Sequence, residues 1–218
     1  MEPSPRPLRA DAARNRRRVI DAARRVFAER GLDAGVDTIA CEAGVGVGTI
    51  YRRFPTKEHL LQAVVSDRLD AFCAELAGLP PCADPWDAFA AAAEALAGAV
   101  ARDRGFFQLL REAHDLLPDP DEARVRSTAA IEPYLRRAQD AGAVRGDLVP
   151  ADVLGLCAVA ARLPASRLER QPELWRRYLA IVLDGVRAEA AHPLPHPPPA
   201  DPPPASAQRG LDRQRRAQ

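Results

Sequence analysis

The stretch Val36–Pro55, VDTIACEAGVGVGTIYRRFP, decides the fold. With Val36 counted as position one, Ala40 stands at five, Gly44 at nine and Ile50 at fifteen. A helix-turn-helix needs a small residue at the fifth position, where its two helices touch. It needs glycine at the ninth, where the turn demands a positive φ, and an aliphatic side chain at the fifteenth to seat the second helix on the first. Ile39, Ala43 and Val45 supply the other inward positions. The spacing therefore predicts two short helices, Val36–Ala43 and Val47–Phe54, joined through Gly44-Val45 and stopped by Pro55. In this motif the second helix enters the major groove of DNA.

Two short core helices in a bundle are the competing reading. The polar surface of the second helix, made of Gly48, Thr49, Tyr51, Arg52 and Arg53, weighs against it. A glycine inside a helix costs about 1 kcal/mol relative to alanine, which makes sense where the backbone must come close to a partner. Thr49 and Arg52 can reach base edges, and the arginine fork matches O6 and N7 of guanine. The Tyr51 hydroxyl suits a phosphate or a base. Lys57 falls in the first turn of the next helix, which Thr56 is placed to cap. The helix dipole disfavours a cation there by roughly a few tenths of a kcal/mol; a phosphate bound at the same end reverses the sign.

Upstream, Val19, Ile20, Ala23, Val26 and Phe27 recur on one face of a helix that starts near Asn15 and stops at Gly31. Arg16, Arg17, Arg18, Arg24, Arg25 and Arg30 lie largely off that face. Residues 1–13, with three prolines, read as a flexible basic arm, so the DNA-binding domain is expected over residues 14–60. Charge is uneven along the chain. Residues 1–57 carry 12 Lys+Arg against 7 Asp+Glu, and residues 58–218 carry 19 against 23. A basic end on a mildly acidic body is the footprint of a nucleic-acid-binding module.

Downstream, a helix from Thr56 to about Leu76 carries Leu60, Leu61, Val64, Val65 and Leu69 on its apolar side. A breaker-rich loop, Gly78–Pro85, follows. Five more helices are predicted, at about Trp86–Arg102, Asp103–Leu116, Glu122–Ala141, Ala151–Leu163 and Pro172–Ala190. They form a packed bundle over residues 61–190. Residues 191–218 hold eight prolines between 193 and 204 and end in RGLDRQRRAQ, which reads as a disordered tail.

The whole is therefore an all-α protein of about nine helices. Apolar residues make up 47 % of the chain but aromatics only 5 %, so alanine, the best helix former, carries much of the apolar content. No apolar run is long enough for a transmembrane helix, and no signal-peptide core follows the first arginines. A cytoplasmic location is expected. The four cysteines lack CxxC spacing and read as free, mostly buried thiols, Cys41 included.

The segment from about Arg14 to Leu61, above all GVGVGTIYRRFPTKEHLL, resembles the DNA-binding domain of the TetR family of bacterial regulators. The resemblance implies that Val47, Gly48, Thr49, Tyr51, Arg52 and Arg53 lie on or beside the recognition helix. It implies that Lys57 contacts phosphate. Family members often carry a backbone-contacting threonine near the start of the preceding helix. This chain has Ala34-Gly35-Val36 there, which leaves Asp37 or Thr38 to cap. The family further implies a C-terminal helical domain that binds a small-molecule effector, a homodimer on operator DNA, and repression as the usual action.

For the dimer surface the last two helices offer Leu154, Leu156, Val159, Trp175, Leu179, Val182 and Val186. For the effector pocket, an apolar cavity with a few polar groups, the candidates are Phe106, Phe107, Leu110, Arg111, His114 and Tyr134. No catalytic signature, metal-ligand spacing or phosphate-binding glycine loop is present. Neither an enzyme, a cofactor nor a metal is expected. A regulator without an effector and a helix-turn-helix that serves protein contacts are the alternatives.

Overall fold

The structure, a computed structural model, describes residues 6–103, 105–107, 116–161 and 170–198. Its principal described elements are eight α-helices, and no β-strand occurs among the described residues. They are α1 (Arg6–Arg30), α2 (Val36–Ala43), α3 (Val47–Arg53), α4 (Lys57–Ala77), α5 (Pro85–Arg102), α6 (Glu122–Asp140), α7 (Pro150–Ala161) and α8 (Leu174–Gly185). A 3-10 turn, Ala188–Ala190, follows. The chain divides into two compact units, one of residues 1–68 and 105–120, the other of residues 69–104 and 121–218. The division falls within α4 rather than between helices.

In the first unit α1 begins at Arg6, about two turns ahead of the expected Asn15. The prolines weigh less than their number suggests. Pro7 sits in the first turn, where a missing N–H breaks no helical bond, and Ala10, Ala12 and Ala13 favour helix. Asp11 and Arg14 pair one turn apart. The buried face is Val19, Ile20, Ala22, Ala23, Val26 and Phe27, and Gly31 ends the helix at φ 76°.

Helix α2 buries Val36, Ile39, Ala40 and Ala43. Its N-cap is Gly35, with no side-chain cap bond, so neither Asp37 nor Thr38 caps it. Cys41 is exposed, not buried: on a helix with that inward face, position 41 points away. The turn falls at Gly44, whose φ of 63° and ψ of 41° are left-handed. A Cβ there would also come within 2.8 Å of Arg18 Nη2, which donates to the Ala43 carbonyl at 2.7 Å. That bond satisfies an orphan acceptor at the end of α2. Arg25 Nε donates to Glu42 Oε1 at 3.1 Å and ties α1 to α2 a second time. Val45 is only half-buried.

Helix α3 is seated by Ile50, 1 % exposed, and by Phe54, which forms its C-cap. The Thr56 hydroxyl accepts the His59 N–H at 3.4 Å and caps α4, whose Leu60, Leu61, Val64 and Val65 are buried. The Asp119 N–H donates to Gln62 Oε1 at 3.2 Å, and the Arg68 guanidinium lies 5.8 Å from the centre of the Phe106 ring. These contacts join Asp119 and Phe106 to α4 within the first unit.

In the second unit Asp84 caps α5 by accepting the Asp87 N–H at 2.9 Å, with Pro85 in the first turn. The inner face of α5 is mostly alanine (Ala88, Ala92, Ala93, Ala97), so neighbouring helices approach closely. Trp175 of α8 packs over Gly98, where a Cβ would stand 3.4 Å from the ring. Ile131, Leu135 and Ala138 of α6 and Val153, Cys157 and Ala160 of α7 complete the core.

The expected helix Pro172–Ala190 is shorter than predicted. It starts at Leu174 and ends at Gly185. Past it the chain turns extended and forms an isolated bridge between Arg187 and Val144. The Arg145 N–H donates to the Val186 carbonyl at 3.1 Å, and Ala188 N–H to the Ala143 carbonyl at 3.2 Å. These bonds replace the helical ones that would have continued α8. Arg145 is itself buried, held by a two-pronged pair with Asp147 at 2.6 and 2.9 Å. Of the expected helix Asp103–Leu116, residues 105–107 are described and helical. Residues 162–169, at the end of the expected Ala151–Leu163, lie outside the described residues.

Cys157 is the one cysteine classed as buried, and burial pushes its thiol up to about 12 from an ordinary 9.0. Between those values the unfolded chain releases a proton that the folded chain keeps. Folding stability is therefore expected to fall as pH rises through that window and to be unaffected by this group below it. Urea melts at about pH 8 and about pH 10.5 check this. Cys157→Ala should remove that part of the alkaline loss.

Candidate nucleic-acid interface

Helix α3 has seven residues, and one inward residue, Ile50, orients the rest. With Ile50 and Phe54 turned to the core, the period of 3.6 turns Gly48, Tyr51 and Arg52 outward. Gly48, Arg52 and Arg53 are exposed and Tyr51 is 47 % exposed; Val47, Thr49 and Lys57 are half-buried. Among the described residues none of Tyr51, Arg52, Arg53 or Lys57 has a hydrogen-bond or ion-pair partner. Exposed ion pairs are common elsewhere in the unit, as between Arg17 and Asp67 and between Arg25 and Glu42. Arg52, Arg53 and Lys57 thus place three cations without an ion-pair partner, among the described residues, on and just beyond the short helix.

Gly48 has an ordinary helical backbone, and no atom lies within 4 Å of a Cβ built there. The fold supplies no steric reason for a glycine at this position. Gly48→Ala is therefore expected to stabilise the protein by up to about 1 kcal/mol. If the backbone at Gly48 approaches DNA, the same change should weaken binding about tenfold, equivalent to about 1.4 kcal/mol. A thermal melt and a DNA titration of one preparation measure both signs.

Lys57 is the first residue of α4 and adjoins Glu58. The Thr56 hydroxyl, by hydrogen bonding, holds the Glu58 carboxyl below its ordinary range. The carboxylate suits the positive helix end, and the neighbouring Lys57 ammonium adds to the lowering.

The candidate effector residues divide. Phe106 is buried and meets the half-buried Phe107 edge-on, ring centres 5.4 Å apart. Tyr134 belongs to the other unit, and its hydroxyl donates to the Leu76 carbonyl at 2.7 Å. Leu110, Arg111 and His114 lie outside the described residues. In the second unit a cavity of about 630 Å³ opens between α7 and α8, lined by Leu156, Ile181 and Val182 among others. None of the described candidates, Phe106, Phe107 and Tyr134, lines it. Among the described residues no group of three or more His, Cys, Asp or Glu could hold a metal ion.

The sequence reading missed a concave face beside α3. Asn15 and Arg16 of α1 and Thr49, Arg52 and Arg53 of α3 border a groove of about 360 Å³, with Val19 and Phe54 in its lining. The periodicity turns these α1 residues away from the core, but it does not say that they adjoin α3.

A glycine-turned helix pair with an outward cationic helix, followed by a separate helical unit, defines a helix-turn-helix transcriptional regulator. A family model described as bacterial regulatory proteins of the tetR family matches residues 19–64. A second, the C-terminal domain of SbtR-like transcriptional regulators, matches residues 84–188. A TetR transcriptional regulator from Streptomyces coelicolor is 34 % identical, over 79 % of this chain and 98 % of that one, with a TM-score of 0.55. A TetR transcription regulatory protein from Mycobacterium vanbaalenii is 33 % identical, over 83 % and 99 %, with a TM-score of 0.58. HTH-type transcriptional regulators of Staphylococcus aureus share 39 % identity over 66 residues; the match spans 30 % of this chain and only 36 % of theirs. The chain belongs to the TetR family of bacterial transcriptional regulators.

Proposed function

We propose that this regulator is a homodimeric repressor that leaves its operator when a small molecule binds its helical body. The observation that carries the DNA half is that Tyr51, Arg52 and Arg53 of α3 are exposed and, among the described residues, have no side-chain hydrogen-bond or ion-pair partner. Val47, Gly48, Thr49, Tyr51, Arg52 and Arg53 face the major groove, and Lys57 takes a phosphate at the start of α4. Support for the dimer comes from apolar side chains left in solvent on α7 and α8, with Val159 70 % and Ile181 57 % exposed. Leu154, Leu156 and Val182 beside them are half-buried. Trp175, Leu179 and Val186 are buried within their own unit and do not belong to this surface. Two copies would set their recognition helices about 34–36 Å apart, one turn of DNA.

The effector would lodge in the helical body; Phe106 and Phe107 in the first unit and Tyr134 in the second are separate candidates for contact with it, beside Leu110, Arg111 and His114. Such a ligand acts only if it binds the operator-competent and released conformations with different affinity. Helix α4, which contributes to both compact units, is the proposed relay. The reading makes no demand for catalysis, and among the described residues no helix is long and apolar enough to cross a membrane.

The test is titration of the full chain against a duplex from the promoter beside its own gene at several salt concentrations. Specific binding whose logarithm falls linearly with log salt supports the reading. Binding no tighter than to unrelated duplex at every salt concentration refutes it. The effector half fails separately, if bound operator is unmoved by every compound handled by products of the neighbouring genes.

A further inference from the structure

The arginines of α1 near its start do not share one role. Arg14 pairs with Asp11. Arg17 pairs with Asp67 of α4 at 3.2 Å and lies 3.6 Å from Asp21. Arg18 donates to the end of α2. Arg16 is exposed and, among the described residues, has no polar partner. It borders the groove shared with Thr49, Arg52 and Arg53 of α3. The one carboxylate on that groove, Asp11, is already matched by Arg14. Three guanidinium groups thus line one concavity with, among the described residues, no unmatched acidic group in its lining.

From this we infer that Arg16, assisted by the Asn15 amide, is a further DNA contact of this regulator, one that grips the sugar–phosphate strand flanking the major groove. The inference rests on the DNA-binding reading of α3 and adds a second element to it. A helix lying in a groove about 12 Å wide has a phosphate strand on either side. An element beside that helix, presenting a cation next to its outward face, meets the strand rather than the bases. Backbone contacts of this kind fix register and orientation and carry no sequence information of their own. Asn15 offers a neutral donor next to the charge, which suits a phosphate oxygen. Among the described residues nothing is held by the Arg16 side chain, whereas Arg17 and Arg18 hold α1 to α4 and α2.

The experiment compares wild type, Arg16→Ala, Arg16→Lys and Arg30→Ala on the promoter duplex across a salt series, with a thermal melt of each. Arg30 is exposed at the far end of α1 and serves as the control. Arg16→Ala is expected to melt like wild type and to bind all sequences about tenfold more weakly. Its salt slope should be smaller by about 0.9 for each Arg16 lost. Arg16→Lys should recover most of both, and Arg30→Ala should change neither. An Arg16→Ala protein that binds with full affinity and an unchanged slope overturns the inference and leaves the function proposal standing. So does a loss confined to one base pair, which would make Arg16 a base reader. A melt lowered in Arg16→Ala and Arg16→Lys alike would assign Arg16 to the fold and overturn it too. Wild type that fails to bind any duplex overturns the function proposal first, and this inference with it.

Discussion

Ile50→Ala should lower folding stability by about 2–4 kcal/mol, the usual cost of removing a buried aliphatic side chain and leaving a cavity. Ile50 is 1 % exposed and is the single residue of α3 classed as buried. A seven-residue helix is far shorter than the roughly 12–15 residues at which isolated helices become even marginal in water. Its existence depends on that anchor. The loss should appear as a lower urea midpoint with an unchanged slope, together with loss of DNA binding. Arg52→Ala, one residue face away, should leave the midpoint where it was. A cost for Ile50→Ala below about 1 kcal/mol would mean that α3 is held by something other than this contact.

Arg52→Ala is expected to cost about 1–3 kcal/mol of binding on the preferred sequence and to flatten the preference at one base pair of each half-site. Its side chain is exposed on α3 and engaged with no other described residue, so the change removes nothing from the fold. Lys57→Ala should behave differently. On the proposed phosphate contact, it should weaken preferred and scrambled duplexes by similar factors and reduce the salt slope by about 0.9 per contact. A matrix of single-base operator variants, titrated with both proteins, separates the two patterns. Equal effects on base preference would refute the division of labour between α3 and the start of α4.

Where the sequence misled, the signal was sometimes present and overruled. Three prolines argued against helix before Asn15, yet Pro7 stands where a helix tolerates it, and the alanines that follow favour the helical state. Cysteine's usual burial argued that Cys41 is inside. The spacing of Val36, Ile39, Ala40 and Ala43 already turned it outward. In both cases a compositional prior was set against local backbone geometry, and the geometry prevailed.

What the sequence determined by itself is the helix pair at Val36–Arg53, the left-handed turn at Gly44, and the sides on which Ile50 and Arg52 lie. Each follows from dihedral preference and the 3.6-residue period acting within twenty residues, so each is written locally. Only the tertiary structure separated Arg16 from Arg17 and Arg18, since their fates depend on Asp67 and on the Ala43 carbonyl, 50 and 25 positions away. It likewise placed Trp175 and Leu179 in the core and left Val159 and Ile181 in solvent. An apolar side chain has the same affinity for a neighbouring helix as for a second copy, and which it meets is settled by how distant segments pack.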